Sequence, residues 1–459
     1  EYKSAVKMAD TAISRNTDNA IAAAIAAIAQ YKAGNIECAK ARIEAELKRD
    51  KLNHLARYAA VLCGMMTEAD FYGKLNSNPS QTCLDIAFDM LAAGFEDETK
   101  ALLSNLPNYV DDIAPTVAYM IGRPELANEM HKAFPSRPQE IAVLEASDSE
   151  YAKYLLGCLH FARKRYDAAY DLWKDINRYE AKRNVAAYFW KKGQHKKALA
   201  ALDEAIALNP AEEELVYEKG YLLNKIGYDA DKTVAEITAL VPSLADARDD
   251  IVTEWAAAFI RAGKYDDALY LINNHIFTPC EGGETIVAKQ HMNSWYGKGK
   301  DLYAQGEYEK ALEAFRTAQI IPDNLGAGLW HVDPLVPSQY YEALTLEKLG
   351  HADEAAKIYE YIAGIHLDFF SDMYLAELPI YEAMSLKKLD REDEADALLT
   401  KYIDRWQSEM KRVDSGYFAQ QPFFISYLDD AKTERDAYYN ALLSFAYSAR
   451  DGMNDLLNI

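Results

Sequence analysis

Gly193 and Gly227 stand 34 residues apart, and that interval constrains this chain more than any other feature of it. Ala186, Gly193, Ala198, Leu202, Ala205 and Pro210 follow a simple order: small residue, turn glycine, small residue, large apolar residue, small residue, terminal proline. Small residues let two helices cross closely, and large ones fill the gaps beside the crossing. The stretch from Ile286 to Ile320 has the same order in Trp295, Gly299, Leu302, Gly306, Tyr308, Ala311, Phe315 and Ala318. A unit of that length cannot bury its apolar face alone, so copies must stack into an array that grows in one dimension. Ala, Leu, Tyr, Glu and Lys dominate, and strand-like alternation of Val, Ile and Thr is missing. The composition is all-α.

The spacing is that of tetratricopeptide repeats, and it predicts an all-α, right-handed α-solenoid of antiparallel helix pairs. Degenerate repeats are expected over 1–106, where Ala27, Gly34, Ala39 and Ile43 take the template positions. Five prolines between Pro107 and Pro138 break long helices, so 107–148 reads as short helices and bends, with a possible kink. The main array runs over 149–413. Its glycine intervals lengthen from 34 to 36, 43 and 44 residues at Gly227, Gly263, Gly306 and Gly350. The surplus is placed in inserts at 277–285, 322–336 and 364–379, all expected on one edge of the array. Residues 414–459 read as a last insert and a capping helix, with Tyr438, Leu442, Phe445 and Ala446 on its apolar face.

A formal charge of −22 argues against nucleic acid and anionic membrane as partners. No apolar run reaches membrane-spanning length. Cys38, Cys63, Cys83, Cys158 and Cys280 are odd in number and lack a Cys-x-x-Cys pair, so reduced, mostly buried thiols and a cytoplasmic location are expected. The chain opens in mid-pattern without an initiator Met, which reads as a fragment. No cofactor motif is present. His275, His291 and His331 lack metal-ligand spacing, so no metal is expected.

Two surfaces are candidates for binding. The first is an insert platform of Glu281, Gly282, Gly283, Glu284, Asn324, Gly326, Gly328, Trp330 and His331. Its two loops leave equivalent points of neighbouring repeats and should touch. In the expected contact Glu281 and Glu284 accept from backbone N–H groups of Asn324–Gly328, while Phe277 and Leu325 share an apolar patch. The second is the concave groove, lined in the template by Trp190, Lys191, Arg261, Tyr296, Lys300, Tyr303, Tyr340 and Lys348. Lys32, Lys191, Arg261, Lys348 and Lys388 each stand two residues before a turn position. That stripe either binds an acidic peptide or answers the helix dipole.

Four segments carry a resemblance: Pro138–Glu145, Phe277–Glu284, Pro322–Gly328 and Tyr417–Asp430. In them the chain resembles the C-terminal tetratricopeptide region of large bacterial proteins whose N-terminal half is a β-rich, mutarotase-like domain of unknown function. Cys280 stands where that family usually has Trp, and Ala327 replaces an acid. The resemblance implies a link to carbohydrate metabolism, with any active site in the N-terminal half. Two functions are therefore expected. One is a non-catalytic scaffold that docks its own N-terminal domain, or another protein, through the platform and groove. The other has Glu281, Glu284, Trp330 and His331 contributing to a glycoside-processing site at the junction with that domain, with carbohydrate as ligand.

Overall fold

The computed structural model describes residues 2–127, 129, 134–241, 243, 247–279, 286–326, 335–365, 377–412, 427 and 431–451. Over these the chain is an all-α, tetratricopeptide-like array of antiparallel helix pairs, with 24 α-helices and no strand. It divides into two compact units, Glu1–Asn177 and Arg178–Ile459.

The first unit holds α1 (Tyr2–Arg15), α2 (Ala20–Lys32), α3 (Ile36–Arg49), α4 (His54–Leu62), α5 (Glu68–Tyr72) and α6 (Pro79–Ala92). It continues with α7 (Glu96–Asn105), α8 (Pro115–Met120), α9 (Gln139–Glu145), α10 (Glu150–Ala162) and α11 (Tyr166–Trp173). Asn19, Asn53, Thr67, Asn78 and Ser149 start five of these helices by accepting a first-turn N–H. Pro115 opens α8, where its missing N–H leaves no bond unmade. Buried Glu140 accepts from the N–H groups of Ser136 and Arg137, both at 2.8 Å, and from the Thr116 hydroxyl at 2.9 Å. One carboxylate thus ties α8 to the start of α9.

The second unit runs through α12 (Tyr179–Lys191), α13 (His195–Leu208), α14 (Glu213–Lys225), α15 (Ala230–Leu240), α16 (Asp249–Arg261) and α17 (Tyr265–Asn273). It goes on with α18 (Ile286–Ala304), α19 (Tyr308–Thr317), α20 (Val336–Lys348), α21 (Ala352–Ala363), α22 (Leu378–Lys388), α23 (Glu392–Glu409) and α24 (Ala431–Arg450). Successive helices pair, α12 with α13 through α22 with α23. Their core gathers Phe315, Tyr340, Tyr341, Tyr359, Leu399 and Trp406 toward the C-terminal end, and Val252, Ile272, Phe277 and Leu325 nearer the middle. The crossings need small residues. A Cβ on Gly299 would stand 2.6 Å from the Phe315 ring, and one on Gly157 in the first unit 2.2 Å from Trp173 Nε1. Among the described residues no helix is long and apolar enough to cross a membrane.

One residue turns each pair. Gly34, Gly94, Gly193, Gly227, Gly263, Gly306 and Gly350 have φ between +62° and +85°. The next N–H then reaches back five residues, as Gln194 does to the Phe189 carbonyl and Glu307 to the Leu302 carbonyl, both at 2.9 Å. This left-handed cap satisfies carbonyls that the helix end would otherwise strand. In two pairs the position is not glycine: Lys164 has φ 60° and Asp390 φ 57°.

The thiol expectation needs correcting. Of the described cysteines only Cys83 is buried, its thiol pushed up to about 12 by desolvation; Cys38 is exposed, and Cys63 and Cys158 lie between. Cys63, just past the end of α4, packs against the first unit's apolar cluster without being enclosed by it. Cys280 lies outside the described residues.

The left-handed turns give a direct test. Lys164→Gly should raise stability by about 1 kcal/mol and Asp390→Gly by somewhat less, since a side chain in this conformation costs about 1–2 kcal/mol. Gly193→Ala should lower it by a similar amount. Calorimetric melting of the three variants reads all three signs, and unchanged midpoints would refute the strain assigned to the turn.

Candidate interaction surfaces

The chain leaves α17 through Asn274 and runs extended to Pro279. One pair later it leaves α19 and makes a 3-10 turn at Asp323–Leu325, which Gly326 ends at φ +69°. The two exits clasp each other. The Phe277 N–H donates to the Asn324 carbonyl at 2.9 Å. The Asn324 amide donates back to the carbonyls of Ile272 and His275, both at 2.8 Å. One side chain thereby caps the end of α17 from a segment some fifty residues later. Phe277 and Leu325 are buried in one cluster with Val252, Ile272 and Ala288. Gly326 is required on two counts: its φ is positive, and a Cβ would lie 2.4 Å from the Phe277 carbonyl oxygen.

Asp249, at the start of α16, anchors the first exit. Its Oδ1 meets His275 Nε2 at 2.7 Å, and its Oδ2 accepts the Thr278 N–H at 2.7 Å. The His275 ring stands edge-on to Phe277, with centroids 4.7 Å apart. His291 faces the second exit, with Nε2 3.1 Å from the Ile320 carbonyl; burial lowers its pKa, so the neutral ring donates there.

Of the platform residues, Asn324 and Gly326 are described. Glu281, Gly282, Gly283, Glu284, Gly328, Trp330 and His331 lie outside the described residues. The expected acceptors Glu281 and Glu284 lie outside the described residues; in the contact that is described, Asn324 accepts from Phe277 through its carbonyl and donates through its side chain. In a 3-10 turn the Gly326 N–H is consumed by the Asp323 carbonyl, at 3.2 Å, which leaves the Asn324 carbonyl turned outward.

The groove residues divide. Tyr340 is 0% and Tyr303 6% exposed, so neither lines an accessible groove. Tyr340 is ringed by Tyr341, Tyr359 and Tyr381 at 5.7–6.2 Å, and Tyr303 by Tyr308 and Tyr341 at 5.4 and 6.3 Å. Gly and Ala at the crossings leave gaps that these rings fill. Tyr296 is partly buried, hydrogen-bonded with Tyr381 and edge-on to Tyr341 at 5.4 Å. Lys300 lies over the Tyr296 ring at 4.8 Å, and burial lowers its pKa. Lys348 is exposed and Lys191 partly buried.

Three of the five stripe residues, Lys32, Arg261 and Lys388, reach across to another helix. Lys388 reaches Glu347 at 2.6 Å and Lys32 reaches Glu98 at 2.5 Å. Arg261 donates to the Asn224 side chain at 2.9 Å and to the Tyr228 carbonyl. Lys225, two residues before Gly227, meets the same spacing but is missing from the stripe as read in sequence. It proves the most informative member.

Trp190 and Lys225 lie where α12 and α14 run side by side, and Tyr427 is seated on both. Its ring stands edge-on to Trp190 at 6.2 Å, its hydroxyl donates to Glu218 Oε2 at 3.3 Å, and its carbonyl accepts from Lys225 Nζ at 3.5 Å. Beneath it Arg183 grips Glu218 through Nε, at 2.8 and 2.9 Å, and through Nη2. Burial pushes the Glu218 carboxyl up, against the pull of Arg183; burial also opposes the Arg183 charge, which Glu218 more than restores. Burial holds the Tyr427 phenol far above its ordinary value, so it stays a donor. Tyr427 falls in a segment picked out for its resemblance, yet no local spacing marks this contact.

On the same face, burial pushes Glu254 up to about 7, against the Asn224 amide that donates to it at 2.7 Å. In the unfolded chain this carboxyl ionises near 4.5. Between those values only the folded state holds the proton, so stability falls as pH rises from 4.5 to 7. Glu254→Gln should therefore raise stability at pH 8 by roughly 3 kcal/mol and leave it unchanged at pH 4, as melting at the two pH values will show. A second variant probes the clasp: Gly326→Ala should lower stability by about 3 kcal/mol through strain and backbone overlap. A melting point equal to the parent's would show that the two exits do not depend on each other.

No family model matches this chain, and no curated protein matches it in sequence. Solved structures similar to it include a tetratricopeptide repeat protein from Parabacteroides merdae, at 12% identity and TM-score 0.26, over 65% of this chain and 98% of that one. Yeast Tom70 is similar at 13% identity and TM-score 0.30, over 98% and 94% of the two chains. The APC/C Cut9–Hcn1 hetero-tetramer is similar at 14% and 0.26, over 99% and 92%. At these scores the likeness says nothing about function.

Proposed function

We propose that this chain is a non-catalytic interaction scaffold, and that the clasped exits of α17 and α19 dock a carbohydrate-active N-terminal domain of the same polypeptide or a partner protein. The observation that carries this reading is the exposure of large apolar side chains on a rigid mount. Ile276 is 83% and Ile320 67% exposed; the first stands one residue from Phe277 and the second four residues from Asn324, two members of the clasp. An isolated exposed isoleucine needs no explanation. Two on segments held by hydrogen bonds from Asn324, Asp249 and His291 resemble an interface held ready for a partner, since ordering has been completed before binding. Protein–protein docking energy concentrates in such fixed apolar anchors.

The resemblance supplies the candidate occupant, a β-rich, mutarotase-like domain, and it is the reason to test carbohydrate. Two measurements decide. Titration with that domain produced in trans should show affinity falling at least tenfold for Ile276→Asp/Ile320→Asp, with the melting point of the scaffold unchanged. Equal affinity removes the surface from the proposal. The chain alone should release no sugar from aryl glycosides; turnover by it would overturn the non-catalytic reading.

A further inference from the structure

The face shared by α12 and α14 is covered by the chain's own Tyr427 and Glu434, and we infer that it is a binding site for a segment of another protein that presents a tyrosine and, seven residues on, an acid. Tyr427 and Glu434 are themselves seven residues apart and hold the site closed from within.

Four observations carry this. Tyr427 is 1% exposed although it comes some two hundred residues after the helices that bury it, so the face selects for this side chain at long range. The recognition is chemical: Glu218 asks for a hydroxyl, which phenylalanine lacks, Trp190 for an aromatic edge, and Lys225 for an acid, met by Glu434 at 3.2 Å. The floor of the site is complete without its occupant. Arg183 already compensates Glu218 through three hydrogen bonds, so departure of Tyr427 strands no buried charge. Finally, the outer contact is weak. Glu434 is 44% exposed, and ion pairs of that exposure contribute little.

Helix α24 need not leave its seat for the site to open. Leu442, Ala446 and Ala449 pack in the C-terminal core, and Lys387 Nζ donates to the carbonyls of Ala449 and Arg450 at 3.1 and 2.9 Å. Phe445 stands edge-on to Tyr381 at 5.4 Å, and the Gln407 amide reaches the Tyr447 hydroxyl at 3.0 Å. These anchors belong to the second half of a 20-residue helix, about 30 Å long. At the other end Glu434, in its first turn, and Tyr427 reach Lys225 and Glu218 of α14. An incoming segment with the same two groups competes for that end alone, and the far end retains α24.

The test uses the full chain and a labelled synthetic peptide of residues 424–438 of this sequence. By fluorescence anisotropy the parent chain should bind weakly, and Tyr427→Ala/Glu434→Lys at least tenfold more tightly. Adding Lys225→Glu should abolish the gain, and a peptide with Phe in place of its Tyr should bind less. Equal affinity of parent and double variant overturns the inference. Should the double variant lose helical signal, a charge exchange replaces it. Glu434→Lys alone, which sets a lysine against Lys225, should weaken the closure and raise peptide affinity, and Lys225→Glu with Glu434→Lys should lower it again; absence of that reversal overturns the inference equally. Light scattering supplies the last arm. A dimeric parent that becomes monomeric in Glu434→Lys would mean the segment is exchanged between two copies, and the closure from within would be wrong.

Discussion

Everything in this chain hangs from one backbone conformation repeated along it. A helix that ends must satisfy its last carbonyls, and a left-handed residue lets the following N–H turn back five residues to do so. The same torsion reverses the chain, so the second helix of the pair returns along the first. Because the turn is short and its geometry nearly constant, first helices fall side by side, α12 beside α14 and α14 beside α16. Every surface with a possible role is built from that alignment: the inserts emerge from equivalent exits, and Trp190, Lys225 and Arg261 stand at equivalent ends.

The inserts show what ordering extra chain requires. Fixing backbone opposes folding by about 1–2 kcal/mol per residue, so long connections persist only with partners of their own. Here the partners are each other. Asn324 offers its carbonyl to one exit and its amide to the end of α17, and Phe277 and Leu325 bury a shared apolar contact. Asp249 adds a carboxylate that accepts on both sides, from Thr278 and toward His275. Consecutive pairs are thereby coupled at their edge as well as along their helices.

Charge acts locally despite the large net negative value. Lysines and arginines near the ends of first helices favour the helix dipole, and Lys388, Arg261 and Lys225 also reach across to the neighbouring element. Where burial is deep the pairing becomes exact in its donors and acceptors, as between Arg183 and Glu218. Where it is shallow, as at Glu434, the contact can be exchanged. The α12–α14 face therefore joins a permanent floor to a replaceable cover.

Local spacing was enough to read the architecture. Gly193 and Gly227, the small residues at the crossings and the aromatic fillers all act within one or two turns of helix, where period and size decide the outcome. It was enough also to bring Phe277 and Leu325 together, because equivalent exits of neighbouring pairs lie on one edge. Spacing could not reveal that Lys164 takes a conformation suited to glycine, since the pair imposes it against local preference. Nor could it tell that Tyr340 is enclosed, for that depends on which rings the next pair brings against it. The seating of Tyr427 on Glu218 lay furthest from view, at a separation of 209 residues. A periodic sequence states how neighbours stack; which distant segment covers a face is settled by complementarity of donors, acceptors and shape that exists only once the array has folded.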